Sequence, residues 1–270
     1  MQEQQLLDYK FESGFLSSES YSFIEKEVSR LEDPDYSEYF NGPVKYFDTI
    51  VISDLHLGHR FSRSRELLVF LNTAHFKRLI INGDVFDDIN MKRLNKMHWQ
   101  ILDYLRDLTD CDNGVEVTWI RGNHDGYSDL ISKLLGIEFK NEVMMTWANK
   151  SVLIIHGDIF DHYVSKYKWL GDIASTVYQF FLFLDPQNRR IGSWLKRTNK
   201  TFIRNAERVR EAAISYAKRK GAQIVICGHT HFAEEGIHNG VLYINSGSWT
   251  DAPSHFIGIT KDEIKVVPFS

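Results

Sequence analysis

Two cysteines, Cys111 and Cys227, are all that 270 residues contain, too few for a disulfide framework, which suits a reducing compartment. There are five prolines and no Pro-rich, Gly-rich or low-complexity tract, so no long linker divides the chain. A strong excess of one charge is also missing. With 32 Lys and Arg against 36 Asp and Glu, interspersed, the net charge of -4 gives no support to a protein that coats nucleic acid, although local basic patches keep a nucleic-acid substrate open as the less favoured partner. Long apolar runs are absent as well: residues 177–184 are apolar almost throughout but far too few to cross a bilayer. The first residues, Met-Gln-Glu-Gln-Gln, have neither the positive start nor the apolar centre of a secretory signal, and a cytoplasmic location is expected.

Hydrophobic residues make up 43% of the chain, enough for the core of one large domain carrying an insertion. Residues 1–46 read as an N-terminal extension with one amphipathic helix, since Ile24, Val28 and Leu31 recur at helical spacing after Ser17, Ser18 and Ser20. Residues 47–270 form the main domain. Within it, strand-like and helical stretches alternate: a strand from Asp48 to Ser53, a helix over 65–74, a strand over 78–82, a helix over 92–108 and a strand over 115–121. Val143–Trp147 and Val152–His156 then flank Asn149-Lys150 as an antiparallel hairpin, which requires a mixed sheet or a second sheet. A helix over 199–220 stops at Gly221, and strands over 223–227, 241–245, 255–260 and 263–267 close the domain. The predicted class is α/β.

Residues 162–197 interrupt this alternation with a helical, aromatic-rich insert holding Trp169, Tyr178, Phe180, Phe181, Phe183 and Trp194. Two readings fit it. It is either a helix buried between others or a lid beside the site with a lipid-facing surface, the second favoured by the cations Arg189, Arg190, Lys196 and Arg197 that follow at once.

Five apolar strands end in groups able to bind metal: Asp54-Leu55-His56, Gly83-Asp84, Gly122-Asn123-His124-Asp125, His156-Gly157-Asp158 and Gly228-His229-Thr230-His231. Asp54 and His56 are two apart, which on an extended backbone puts both side chains on one side. Each block alone reads as a polar turn. All five together, carrying carboxylate, amide and imidazole donors with glycines that let the backbone turn, are what a site for two metal ions needs. Such donors suit manganese, iron or zinc.

In identity and order these blocks resemble those of the calcineurin-like metallophosphoesterases. That resemblance implies a two-sheet mixed β-sandwich flanked by helices in four αββα layers. It also implies two divalent metal ions, one held by Asp54, His56 and His231 and the other by Asn123, His156 and His229, with Asp84 bridging. The implied reaction is hydrolysis of a phosphoester or pyrophosphate by a metal-bridging hydroxide. His124 would stabilise the phosphoryl group or protonate the leaving oxygen, with Asp125 orienting its ring. His59 is a further candidate for substrate contact, and Asp158 for support of the neighbouring ligand. His162 is a less expected one, and His75, His98, His238 and His255 read as core or surface residues.

Within that superfamily the chain is most similar to the UDP-2,3-diacylglucosamine hydrolases of lipid A assembly. The residues that carry this likeness are Ser53–Gly58, the insert with Arg189-Arg190-Ile191-Gly192 and Lys196, and the closing Asn245-Ser246-Gly247-Ser248-Trp249. It implies a lipid-linked nucleotide substrate, manganese, and a cytoplasmic protein that touches the inner membrane peripherally. The insert's aromatics would suit acyl chains, and Arg189, Arg190, Lys196 and Arg197 a diphosphate. A phosphodiesterase, nuclease or general phosphatase of the same fold, and a non-catalytic scaffold, are the alternative readings.

Overall fold

The computed structural model describes residues 46–88, 90–109, 114–126, 128–163 and 200–269. The helix expected in residues 1–46 and most of the insert expected at 162–197 lie outside these residues. The chain enters through β1 (Tyr46–Ile52), then α1 (Ser64–Thr73), β2 (His75–Asn82), a 3-10 turn (Met91–Arg93), α2 (Lys96–Leu108), β3 (Glu116–Ile120), α3 (Ser128–Leu135) and β4 (Phe139–Lys140). The hairpin of β5 (Glu142–Trp147) and β6 (Lys150–Ile155) follows, with a 3-10 segment at Asp158–Tyr163. After the insert come α4 (Lys200–Arg219), β7 (Ile224–Cys227), β8 (Glu234–His238), β9 (Val241–Asn245), β10 (Ser254–Ile259) and β11 (Ile264–Phe269).

The strands form two mixed sheets, one in the order β11-β10-β1-β2-β3-β4 and the other β5-β6-β7-β9-β8. In the first, β1, β2, β3 and β4 run parallel, with β10 and β11 added antiparallel. In the second, β6, β7 and β9 are parallel between antiparallel edges.

Strand periodicity sorts the side chains into layers. Val51, Ile80, Ile120, Ile257 and Ile259 of the first sheet meet Val152, Ile154, Ile224, Ile226 and Ile244 of the second in a core between the sheets. Their neighbours face outward: Ile50, Ile52, Leu79, Ile81, Trp119 and Phe256 pack with α1 and α2, while Leu153, Ile155, Val225, Cys227 and Tyr243 pack under α4. The central strands β1, β2, β6, β7 and β9 are therefore apolar on both faces along their buried lengths, which explains why the sequence shows continuous runs there instead of alternation. Burying such a side chain contributes roughly 1.5–3 kcal/mol, and a one-residue slip would exchange the two layers, so the register is firmly set. The four layers are αββα, as the resemblance implied.

Local signals account for the element ends. At the start of α2, Asn95 Oδ1 accepts the N–H of His98 and His98 Nδ1 accepts the N–H of Asn95, a reciprocal cap; the expected helix over 92–108 thus begins four residues late, after the 3-10 turn. Gly221, with φ +73°, ends α4 as expected, letting Ala222 N–H reach the Ala217 carbonyl. Three elements were not foreseen. α3 spans eight residues, too few to display a helical period, and β4 spans two. β8 is the polar edge strand Glu-Glu-Gly-Ile-His, and its signal was the Asn239-Gly240 turn, both residues at positive φ, that joins it to β9.

Candidate metal centre

All five blocks lie beyond the carboxyl ends of the parallel strands, where the two sheets open together. Asp54 and His56 do not share a side through an extended backbone, as their spacing suggested. Both are left-handed (φ 54° and 45°), and so are Asp84, His229 and His231 (φ 53°, 65° and 55°). Such a conformation costs a non-glycine residue on the order of 1 kcal/mol or more and persists only where its surroundings over-determine it. Here they do. Asp54 N–H donates to the Gly83 carbonyl (3.0 Å), His56 N–H to Asp84 (3.1 Å), Trp249 N–H to Asp54 (3.0 Å) and Gly228 N–H to His156 (2.9 Å), stitching the strand ends to one another. Gly122 is required for the same closeness, because a side chain there would run into the backbone and carboxylate of Asp84.

Three overlapping groups of metal-ligating atoms result: Asp54, His56 and His231; His56, Asp84 and His124; and Asp84, His156 and His229. His56 Nε2 is 3.1 Å from His231 Nε2, and His231 Nε2 is 3.2 Å from Asp54 Oδ1. Asp84 Oδ2 lies between the two ends, 4.0 Å from His56 Nε2 and 3.3 Å from His156 Nε2. Its Oδ1 accepts the N–H of His124 at 2.9 Å. Asn123 is exposed, in the turn that Gly122 holds against Asp84.

Two atoms test whether metal fits. Asp54 Oδ1 and His156 Nε2 are buried and make no hydrogen bond, although Asp84 Oδ2 stands close to the second, out of line for one. A buried donor atom left unsatisfied costs about 1–3 kcal/mol, so both are placed for a partner that the protein chain does not supply. His156 Nδ1 donates to the Asn82 carbonyl at 2.7 Å, which turns the Nε2 lone pair toward Asp84 in the neutral ring. The site is suited to divalent cations.

Its electrostatics are uneven. Burial, with the neighbouring His231, lowers the His56 pKa to about 3, so the ring is neutral. Burial also disfavours the charged form of His156, but the Asp84 carboxylate outweighs it and holds the pKa well above the ordinary value. Burial opposes ionisation of Asp54 and Asp84 too; His231 for the first, and His156 for the second, nevertheless keep both ionised.

The other expected residues are placed as follows. His124 is in the cluster, but Asp125 does not orient its ring. The Asp125 carboxylate is buried and accepts the N–H groups of Asp84 (2.9 Å), Val85 (3.1 Å) and Gly122 (3.0 Å) and the Trp119 indole (3.2 Å), so it locks the turn that carries Asp84. Burial, with Asp84 nearby, raises its pKa. His124 Nδ1 instead donates to the Asp87 carbonyl at 2.5 Å, and the Asp87 carboxylate stands 3.8 Å from His56 Nδ1 and 2.6 Å from Arg93. Asp87 and Asn82 are the residues the sequence reading missed. Asp87 could have been found as an acid three positions after Asp84, whereas Asn82 acts through a carbonyl that every residue has. His59 belongs to none of the three groups, and its Nδ1 accepts the Phe61 N–H at 3.3 Å. Asp158 opens the 3-10 segment and adds a small favourable field at His156. Arg189, Arg190, Lys196 and Arg197 lie outside the described residues, as does the side chain of His162.

A four-layer sandwich that gathers carboxylates and imidazoles for metal at its parallel strand ends is the architecture of a metal-dependent phosphoester hydrolase. The chain belongs to the calcineurin-like phosphoesterase family, whose model matches residues 47–233. It is 27% identical over 242 residues to the UDP-2,3-diacylglucosamine hydrolase of Neisseria gonorrhoeae, spanning 80% of this chain and 96% of that protein. The hydrolase of the same name from Neisseria meningitidis serogroup C is 26% identical over the same spans. Among solved structures the chain is similar to a novel archaeal phosphodiesterase (13% identity, 82% of this chain and 99% of that one, TM-score 0.45) and to wild-type Vps29 of Entamoeba histolytica complexed with zinc (16%, 82% and 99%, TM-score 0.42). Among the described residues no helix is long and apolar enough to cross a membrane.

Proposed function

We propose that this chain hydrolyses the pyrophosphate bond of a UDP-2,3-diacylglucosamine-like, lipid-linked nucleotide at the strand-end centre, using two manganese ions. Asp54, His56 and His231 are assigned to one ion, Asn123, His156 and His229 to the other, and Asp84 to both. The observation that carries the centre is the pair of buried, unsatisfied atoms, Asp54 Oδ1 and His156 Nε2, facing the ligand groups across Asp84. Bound divalent cations supply Lewis acidity, neutralising phosphate oxygens and making water nucleophilic near neutral pH. The chain's own residues do the rest. Ionised Asp54 and Asp84 set the negative charge of the pocket, and neutral His56 offers a lone pair. His124, held through Nδ1 by the Asp87 carbonyl, is assigned to stabilise the transferring phosphoryl group or protonate the leaving oxygen.

The substrate assignment is supported by the two Neisseria relatives and by the insert, whose aromatics suit acyl chains and whose Arg189, Arg190, Lys196 and Arg197 suit a diphosphate. The same composition supports peripheral contact of residues 162–197 with an anionic membrane surface from the cytoplasmic side. The deciding experiment incubates the full chain, chelated and reloaded with manganese, with UDP-2,3-diacylglucosamine, with short oligonucleotides and with an aryl phosphodiester, products being read by mass spectrometry. UMP release from the first is expected. Cleavage of the aryl diester without UMP release rejects the substrate, and preferential, salt-sensitive cleavage of oligonucleotides transfers the assignment to a nuclease.

A further inference from the structure

The two carboxylate oxygens of Asp54, a wholly buried residue, have different surroundings. Oδ2 accepts the backbone N–H of His229 at 3.0 Å and the hydroxyl of Ser53. Oδ1 makes no hydrogen bond and faces His231 at 3.2 Å and His56 at 4.0 Å. A carboxylate with one oxygen bound twice is not free to turn.

Ser53 is in turn held from the other sheet. Its Oγ is 2.6 Å from the Oγ of Ser246, the residue that follows β9, and 3.4 Å from the Gly247 carbonyl. Ser246 Oγ is also 3.1 Å from the Cys227 carbonyl, and both serines are 0% exposed. Each hydroxyl has one proton to give. An ionised carboxylate has none, so the Ser53 proton goes to Asp54 Oδ2. Ser53 Oγ can then only accept at its short contact with Ser246. The longer Ser246–Cys227 contact is the weaker claim on the remaining proton, since that carbonyl already accepts the Ser246 N–H at 3.0 Å. Hydrogen bonding therefore runs one way, from Ser246 to Ser53 to Asp54, across the gap between the sheets.

We propose that Ser53 and Ser246 are positioning residues that anchor Oδ2 of Asp54 and thereby present Oδ1 alone to a cation. This rests on the assignment of Asp54 as a metal ligand. Neither serine hydrogen-bonds a residue assigned to the other ion, which the relay meets only through the His229 N–H on Asp54 Oδ2, so their loss should be felt chiefly at the ion that Asp54 holds.

The test uses the full chain, stripped by chelation and titrated with manganese alone, free metal being read by electron paramagnetic resonance and folding by thermal melting. Ser53→Ala should weaken one of the two manganese ions about ten- to a hundredfold, the usual effect of losing a group that orients a ligand, and weaken the other by much less. Ser246→Ala should weaken the same ion by less. The double variant should be no weaker than Ser53→Ala, because Ser246 acts only through Ser53. Wild-type affinity in Ser53→Ala, or additive losses in the double variant, would overturn the relay. Should Ser53→Ala fail to fold, Ser246→Ala decides, with unchanged affinity counting against the proposal. Asp54→Ala separates the two levels. If it keeps both ions, the ligand assignment itself is wrong; if it loses one and the serine variants do not, only the relay is wrong.

Discussion

The two halves of the centre draw on the same chemistry and shift their buried imidazoles in opposite directions. On one side burial, with His231 3.1 Å away, lowers the His56 pKa to about 3. On the other, His156 is fully buried but faces Asp84 at 3.3 Å, and the carboxylate outweighs burial and raises its pKa. Burial alone would have made both neutral. The difference teaches that the nearest carboxylate can outweigh burial, and Asp84 weighs on both imidazoles because it stands 4.0 Å from His56 and 3.3 Å from His156.

Asp84→Ala should give the largest effect, since it removes the group shared by both halves. Loss of both metals and a fall in kcat of about a thousandfold or more are expected, measured by metal analysis and by hydrolysis of an aryl phosphodiester, with circular dichroism showing retained fold. If one metal stayed at full occupancy, Asp84 would belong to a single half.

Asp54→Ala and His156→Ala should sharpen the comparison further. Each is expected to release one metal and keep the other, and the retained ions should differ in affinity between the two variants. Identical titrations from the pair would mean that the halves are not independent.

The smallest effect is also the most direct reading of the asymmetry. A histidine with a raised pKa carries its proton at pH 7, and ligation needs the lone pair, so binding at the His156 side should release about one proton and tighten as pH rises. The His56 side should release none from its own ring. Calorimetric titration with manganese in buffers of different ionisation enthalpy measures this, and His156→Ala should remove the proton release. Heat independent of buffer in the wild-type chain would show that His156 is already neutral.

Much of the fold was legible. The apolar runs at 48–53, 78–82 and 223–227 are strands because strands buried on both faces must be apolar throughout, and Gly221 ends its helix because only glycine turns left-handed without strain. The polar edge strand β8 left no apolar pattern, and only the Asn239-Gly240 turn after it marked it. At the site, Asp54, His56, Asp84, His156, His229 and His231, which the structure gathers, were all named from four of the five strand ends. Asp125 was given the wrong partner because adjacency to His124 in sequence says nothing about where a side chain points in a tight turn.

The sequence by itself determined which residue types meet and at which strand ends, because side-chain chemistry and hydrophobic periodicity are local properties. The tertiary structure alone decided how they are used: the left-handed turns that aim Asp54 and His56, the carbonyls of Asn82 and Asp87 that orient His156 and His124, and the contact of Ser246 at the end of one sheet with Ser53, the neighbour of Asp54, at the end of the other. Those roles depend on backbone groups that every residue shares and on distances between segments far apart in the chain, and neither is written in the identity of any single residue.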